Sequence, residues 1–172
     1  EWDDEDIRCR TSGEVVERYR AELREDVELF TYIQYLFFRQ WEALKAYIHS
    51  LGIRIIGDLP IYVAMDSADV WAEPEMFQLD EHNVPTEVSG VPPDCFSEDG
   101  QLWGNPLYNY EAMARDGFGW WIRRIGGAQK LYDVIRIDHF RGFESYWAIP
   151  YGETTAKNGR WVKGPGMSLV GV

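Results

Sequence analysis

Arg136, Asp138 and His139 are the densest group of chemically able side chains in the sequence. They lie in the run Val134-Ile135-Arg136-Ile137-Asp138-His139-Phe140-Arg141-Gly142. Alternating β-branched and polar residues give its first half the period of a strand. Strand geometry then sets Arg136 and Asp138 on one face and Ile135 and Ile137 on the other. Barrel enzymes keep their chemistry at the carboxyl ends of strands, and a carboxylate there serves as a nucleophile when it is ionised. A guanidinium two positions earlier favours that charged form. A purely structural Arg–Asp pair at a strand end accounts for the same residues equally well. His139 faces away from Asp138 if the chain stays extended. At a strand end it turns toward a substrate hydroxyl, or is held as a hydrogen-bonded structural residue.

A second acid occupies a comparable place. Ile53-Arg54-Ile55-Ile56-Gly57-Asp58-Leu59-Pro60 reads as a short buried strand running into a carboxylate and a proline. Two strand-end carboxylates amid aromatic residues suit glycoside chemistry, in which one acid attacks or stabilises an oxocarbenium-like centre and another protonates the leaving oxygen. Asp138 is the better nucleophile; Asp58 fits binding a sugar hydroxyl or anchoring Arg136. A metal-dependent hydrolase is a second enzyme reading, with Asp138 and His139 as ligands. It finds no H-x-H or H-E-x-x-H spacing among the three His residues. His49 suits the negative end of a helix dipole, and His82 sits in an acidic, solvated turn. Neither a G-x-G-x-x-G after a strand nor a G-x-S-x-G elbow is present. A non-catalytic carbohydrate-binding module explains the aromatic rings but gives no reason for the Arg136–Asp138 pairing.

Composition narrows the classes. With 172 residues, 45% hydrophobic and 27% charged, the chain has the make-up of a globular domain. A net charge of −12 argues against a nucleic-acid partner. Aromatics reach 15%, with eight Trp and ten Tyr, and most are expected in the core. Cys9 and Cys95 are too few for a disulfide framework, which sets a reducing, cytoplasmic compartment as the expectation. The acidic opening Glu1-Trp2-Asp3-Asp4-Glu5-Asp6 lacks the apolar core of a signal peptide, and no run reaches bilayer-spanning length. The absence of an initiating Met suggests a piece of something longer.

These groups need elements to hold them. Thr11 and Glu14 are spaced as a capping box before a charged helix over residues 14–26. A stronger helix follows, where Ile33, Phe37, Trp41, Leu44, Ile48 and Leu51 form one apolar stripe expected to face the core. Gly52 ends it. From residue 66 to 109 no long period persists, because prolines and glycines interrupt it; a connection this long reads as a functional loop or an inserted subdomain. A short helix over 109–116, capped by Asn109, and a Trp-rich helix over 118–131 lead to the strand at Val134. Residues 151–166 read as loop. Helix, strand and terminal acid in alternation is the pattern of an α/β fold, a barrel or a doubly wound sheet. Two strands do not close a barrel.

Longer motifs carry a resemblance. Gly52-Ile53-Arg54-Ile55-Ile56-Gly57-Asp58-Leu59-Pro60-Ile61-Tyr62-Val63 resembles the first signature region of the 4-α-glucanotransferases (amylomaltases, or disproportionating enzymes), glycoside hydrolase family 77. Gly90-Val91-Pro92-Pro93-Asp94-Cys95-Phe96-Ser97 and Gln101-Leu102-Trp103-Gly104-Asn105-Pro106-Leu107-Tyr108 resemble two further segments. Arg136-Ile137-Asp138-His139-Phe140-Arg141-Gly142-Phe143 resembles the nucleophile strand. The likeness runs in order from the Phe37 helix to Gly166.

It implies a (β/α)₈ TIM barrel, of which this chain is the middle third, about strands three and four, with a long inserted loop or subdomain at 66–109. It implies transfer of α-1,4-glucan segments between maltooligosaccharides, through a covalent ester and with no metal or organic cofactor. Asp138 matches the nucleophile, and Arg136 and His139 match residues flanking it at the sugar on its non-reducing side. Asp58 matches the signature acid. Asp94 and Phe96 fall in the loop over the acceptor side, and Trp103 in the aromatic segment after it. Cys95 stands where the family commonly has Tyr. The family's general acid/base Glu and stabilising Asp lie on later strands, past Val172; Glu144 and Glu153 do not match them.

Overall fold

The computed structural model describes residues 3–172. Glu1 and Trp2 of the acidic opening run lie outside the described residues. The chain divides into two compact units, one of residues 1–59 and 125–136, the other of residues 60–124 and 137–172.

The first unit opens with α1 (Glu5–Arg8), whose first turn is capped by Asp4 accepting from the Asp6 amide at 2.9 Å. Next come α2 (Gly13–Glu22) and α3 (Arg24–Ser50), with the break at Leu23 and not near residue 26. The cap of α2 also sits one residue later than its spacing predicts. Ser12 Oγ accepts from the Val15 amide at 3.3 Å, because the Thr11 hydroxyl is donated to Asp6 at 3.0 Å. Gly52, at φ +72, closes the end of α3 through its amide to the His49 carbonyl, as expected of a C-terminal glycine.

The apolar stripe on α3 departs from its expected role. Trp41 donates Nε1 to the Leu131 carbonyl at 3.0 Å and lies edge-on to Tyr132, and Ile48 is half-buried. Ile33, Phe37, Leu44 and Leu51 keep 43–56% of their surface exposed. The reason is geometric. Among the described residues, the α3 side chains that meet the rest of the chain lie on the line Trp41–Lys45–Ile48, with His49 beside it, so the wider stripe finds little to bury against.

Two short strands, β1 (Ile56–Leu59) and β4 (Val134–Ile137), pair with each other. Asp133 ties their starts together. Its carboxylate accepts from the Ile55 amide at 2.8 Å and meets His49 Nε2 at 2.8 Å. The backbone bond and then His49 hold that carboxyl below its usual range. His49 therefore has a specific partner in addition to its helix-end position. Gly57 in β1 is required by close approach, since a Cβ there would lie 2.0 Å from the Tyr132 ring.

The second unit fills the stretch 66–109 with short elements. They are α4 (Ala68–Ala72), a 3₁₀ turn (Pro74–Met76), β2 (Glu87–Val91) and β3 (Gln101–Pro106). Next are α5 (Tyr110–Arg115), capped by Asn109 accepting from the Ala112 amide at 3.1 Å, and α6 (Gly119–Leu131), whose first residues belong here. A 3₁₀ turn (Phe140–Phe143), β5 (Ser145–Pro150), β6 (Arg160–Lys163) and α7 (Met167–Val170) complete it. Strand order is β3-β2-β5-β6, with each neighbouring pair antiparallel. β6 lies where the sequence reads as loop; its four residues gain a strand's geometry only by pairing with β5.

An aromatic core holds this unit together. Tyr108 lies within 5.3–5.7 Å, centroid to centroid, of Tyr62, Phe77, Tyr110, Trp120 and Trp121. Leu107, Met113 and Ile149 are fully buried beside them. Offset and edge-to-face contacts of this kind add to the hydrophobic gain of burying such large side chains.

Candidate active site

The strand β4 stops at Ile137, and the next two residues turn. His139 adopts a left-handed backbone, φ 50 and ψ 40, and its carbonyl accepts from the Gly142 amide at 2.8 Å. A non-glycine residue in that region carries backbone strain, which clusters at functional sites. Gly142 makes the turn possible. A Cβ at that position would sit 2.8 Å from Ile61 Cδ1 and 3.4 Å from the His139 ring.

Within the second unit, Asp138 and His139 line a cleft of about 210 Å³ with Pro60, Ile61, Tyr62, Trp103 and Asn105. The space is below the roughly 300–1,000 Å³ usual for a drug-sized ligand, as suits a single small polar ring. Asp138 is exposed to it. Trp103 stands edge-to-face with the His139 ring at 4.9 Å and 84°, and Tyr62 lies 6.3 Å from Trp103. Trp103 Nε1 donates to Gln101 Oε1 at 3.0 Å, which fixes the indole. Asn105 donates Nδ2 to the Val63 carbonyl at 2.9 Å and accepts from the buried Ser89 hydroxyl at 3.4 Å. Burial lowers the pKa of His139 below its ordinary 6.5; Asp138 opposes the shift and Arg141 adds to it. The ring is therefore neutral at pH 7, able both to donate and to accept a hydrogen bond.

Other candidates from the sequence are not among the residues lining this cleft. Asp58 and Arg136 belong to the first unit, where Arg136 Nε donates to Asp58 Oδ1 at 3.0 Å and Nη2 to the other oxygen. This bidentate bond, opposed by burial and aided by the charge of Arg136, lowers the pKa of Asp58 below 3.8. Of the two roles open to Asp58, anchoring Arg136 is the one its geometry displays. Both side chains are more than half exposed, so solvent screens much of the pair's strength.

Asp94 and Phe96 do not line the cleft. Asp94 Oδ1 accepts from the amides of Phe96 and Ser97, each at 2.8 Å, which folds the loop upon itself. Phe96 projects from that loop 95% exposed. Tyr62, Asn105, Pro60 and Ile61 were missed as site residues, although all four sit inside the quoted motifs; the signal was their place directly after a strand-end acid and within the Trp103 segment.

A larger groove of about 510 Å³ on α3 is lined by Leu23, Asp26, Val27, Phe30, Thr31 and Gln34. It is mostly apolar and lacks the converging polar groups of the smaller cleft. Among the described residues no group of three His, Cys, Asp or Glu side chains is placed to hold a metal ion. No helix among them is long and apolar enough to cross a membrane.

Comparison with known proteins gives a consistent result. A family profile described as 4-alpha-glucanotransferase matches residues 1–172. The chain is 53% identical over 168 residues to a 4-alpha-glucanotransferase of Clostridium butyricum, covering 97% of this chain and 34% of that protein. It is 59% identical over 150 residues to one of Thermus thermophilus, covering 87% and 30%. An amylomaltase from Streptococcus agalactiae, solved in complex with acarbose, superposes with a TM-score of 0.94 at 47% identity, over 99% of this chain and 34% of that one. An amylomaltase from Corynebacterium glutamicum, at 22% identity and a TM-score of 0.73 over 86% of this chain and 20% of that one, shares the fold. The chain thus spans about a third of the length of the curated relatives it matches.

Proposed function

Because this chain belongs to the 4-alpha-glucanotransferase family, we propose that it carries the nucleophile side of an enzyme moving α-1,4-glucan segments between maltooligosaccharides. Asp138 attacks the anomeric carbon and forms a glycosyl ester, with retention of configuration after a second displacement. A Glu outside this chain protonates the departing glucan. A sugar hydroxyl, not water, then opens the ester. β1 and β4 serve as about the third and fourth strands of a (β/α)₈ barrel, and residues 66–109 form an insertion between them.

Within this reading His139 and Trp103 hold the sugar beside Asp138, Arg136 is oriented by Asp58, and the Asp94–Phe96 loop covers the acceptor. Holding the acceptor and excluding water favour transfer over hydrolysis. A cytoplasmic setting belongs to the proposal too, supported by Cys9 and Cys95 being free thiols. The observation that carries the reading is an exposed Asp138 sharing one cleft with Trp103 and His139, in a chain with this family membership.

The test is Asp138→Asn in the full-length protein with maltotriose as both donor and acceptor. Release of glucose and longer products should fall by about 10⁴-fold or more, the scale of removing a nucleophile. Substantial disproportionation by that variant would refute the assignment. A second reading, a chain that binds glucan without turning it over, is favoured for the isolated 172 residues because, among the described residues, Asp138 is the single carboxylate lining the cleft. Glycoside transfer needs an acid partner as well. Maltotriose incubated with this chain alone should stay unchanged.

A further inference from the structure

We infer that Arg124 is a positioning residue for the cleft: its guanidinium fixes the Pro60–Ile61 wall that faces Asp138 and His139. The inference rests on the proposed glucan transfer for its kinetic consequences, though not for its structural ones.

Arg124 reaches the wall from α6. Its Nη2 donates to the Pro60 carbonyl at 2.7 Å, and Nη1 donates to the Ile61 carbonyl at 3.0 Å. The same Nη1 donates to Tyr108 Oη at 3.1 Å, and that hydroxyl donates in turn to the Ile61 carbonyl at 2.6 Å. Two consecutive carbonyls directly after β1 are therefore gripped by a planar fork and a buried phenol. The fork itself is held in orientation, lying 5.4 Å from the Trp120 ring centroid and 5.1 Å from that of Trp121. These rings sit four and three residues earlier on the same helix, the spacing that stacks side chains on one face.

The donors of this guanidinium go to backbone carbonyls and a phenol. A cation used in this way supplies geometry, because arginine's rigid fork offers two directed bonds at once where an ammonium offers a point charge. The residues it fixes, Pro60 and Ile61, line the cleft, while Arg124 does not. A shift of the wall by about an ångström changes the reacting geometry without removing any group that touches substrate.

The experiment uses the full-length protein and three variants, Arg124→Met, Arg124→Lys and Tyr108→Phe. For Arg124→Met we expect kcat for maltotriose disproportionation to fall by roughly 10–100-fold, with KM changed by about twofold or less. Arg124→Lys should recover part of the loss, since an ammonium restores one of the two carbonyl bonds. Tyr108→Phe, which keeps both arginine bonds, should lose least. Amide hydrogen exchange gives a readout besides activity: exchange in residues 61–63 should quicken in Arg124→Met while β5 stays protected.

Unchanged kcat in folded Arg124→Lys and Arg124→Met overturns the inference. So does a loss of activity that only tracks melting temperature, with exchange rising equally in β5. If Arg124→Met does not fold, Arg124→Lys and Tyr108→Phe decide on the same readouts. If the unmodified protein transfers no glucan, the functional reading fails separately, and unchanged exchange in residues 61–63 would then sink the positioning role.

Discussion

The two units of the chain treat their apolar residues in opposite ways. In the second, Trp121, Tyr108, Leu107, Met113 and Ile149 are each less than 2% exposed, and the rings interlock. In the first, the described buried apolar residues are Ile7 and Ala128, while α3 presents Phe30, Tyr32, Ile33, Phe37, Phe38 and Leu44 to solvent. Both regions are rich in large hydrophobic side chains. The difference is whether the partners for those side chains lie within the chain. An antiparallel sheet with its own helices completes a core, whereas a helix with two short strands does not. The second unit also supplies every residue lining the cleft, so the site rests on the self-sufficient part.

Truncating the aromatic core gives the sharpest contrast. Trp121→Ala in this chain should cost about 3–5 kcal/mol of stability by denaturant unfolding, the range for deleting a fully buried large ring. Phe37→Ala on α3 should cost under about 0.5 kcal/mol, as a surface change does. Equal losses would mean that α3 is covered and that the contrast is wrong.

At the cleft, His139→Gly should be more stable than His139→Ala by about 1 kcal/mol, because glycine accepts the left-handed backbone without strain. An equal melting midpoint for the two would show that the turn is not strained. The His139 pKa adds a direction. Since its folded value lies below 6.5, its stabilising share is present above that pH and lost as pH falls through the folded value. Unmodified protein should therefore lose stability relative to His139→Asn between pH 7.5 and 5. A flat difference across that window would remove the burial argument.

The smallest effect belongs to the first unit. Arg136→Met should return the Asp58 carboxyl to about its ordinary 3.8, seen by carboxyl-carbon NMR titration. A titration that does not move would mean Arg136 is not what holds it down.

Much of this was readable from residue order, and the failures share a cause. Gly52, the Asn109 cap, the helix over 118–131 and the strand at Val134 all follow from local signals: a left-handed glycine, a side-chain oxygen at a helix start, and periodicity. The turn that carries Asp138 and His139 followed from the strand's end. β2, β3, β5 and β6 were invisible because they are short and acquire their geometry from cross-strand partners, in the β2–β5 pair from about sixty residues away. The α3 stripe was read correctly as amphipathic and wrongly as buried, since periodicity reports a preference for burial and not the presence of a neighbour. Arg136 was legible in part. Its spacing pointed to Asp138, while its bidentate partner is Asp58, from a strand more than seventy residues earlier and already one of the two roles that the strand-end acid offered. Pro60 and Ile61 offer backbone carbonyls to Arg124, and no residue-type pattern announces a backbone acceptor.

The pairing of β2 with β5 bears on how the chain matures. Glu87 faces Pro150 and Gly90 faces Trp147, so the central seam of the four-stranded sheet joins segments made far apart in time during synthesis. Until β5 leaves the ribosome, the hairpin of β2 and β3 waits with one raw edge available to any passing strand. Such a delay slows folding and opens an interval for aggregation. Early capture by a chaperone should therefore matter more for this half of the molecule than its final tight interior suggests.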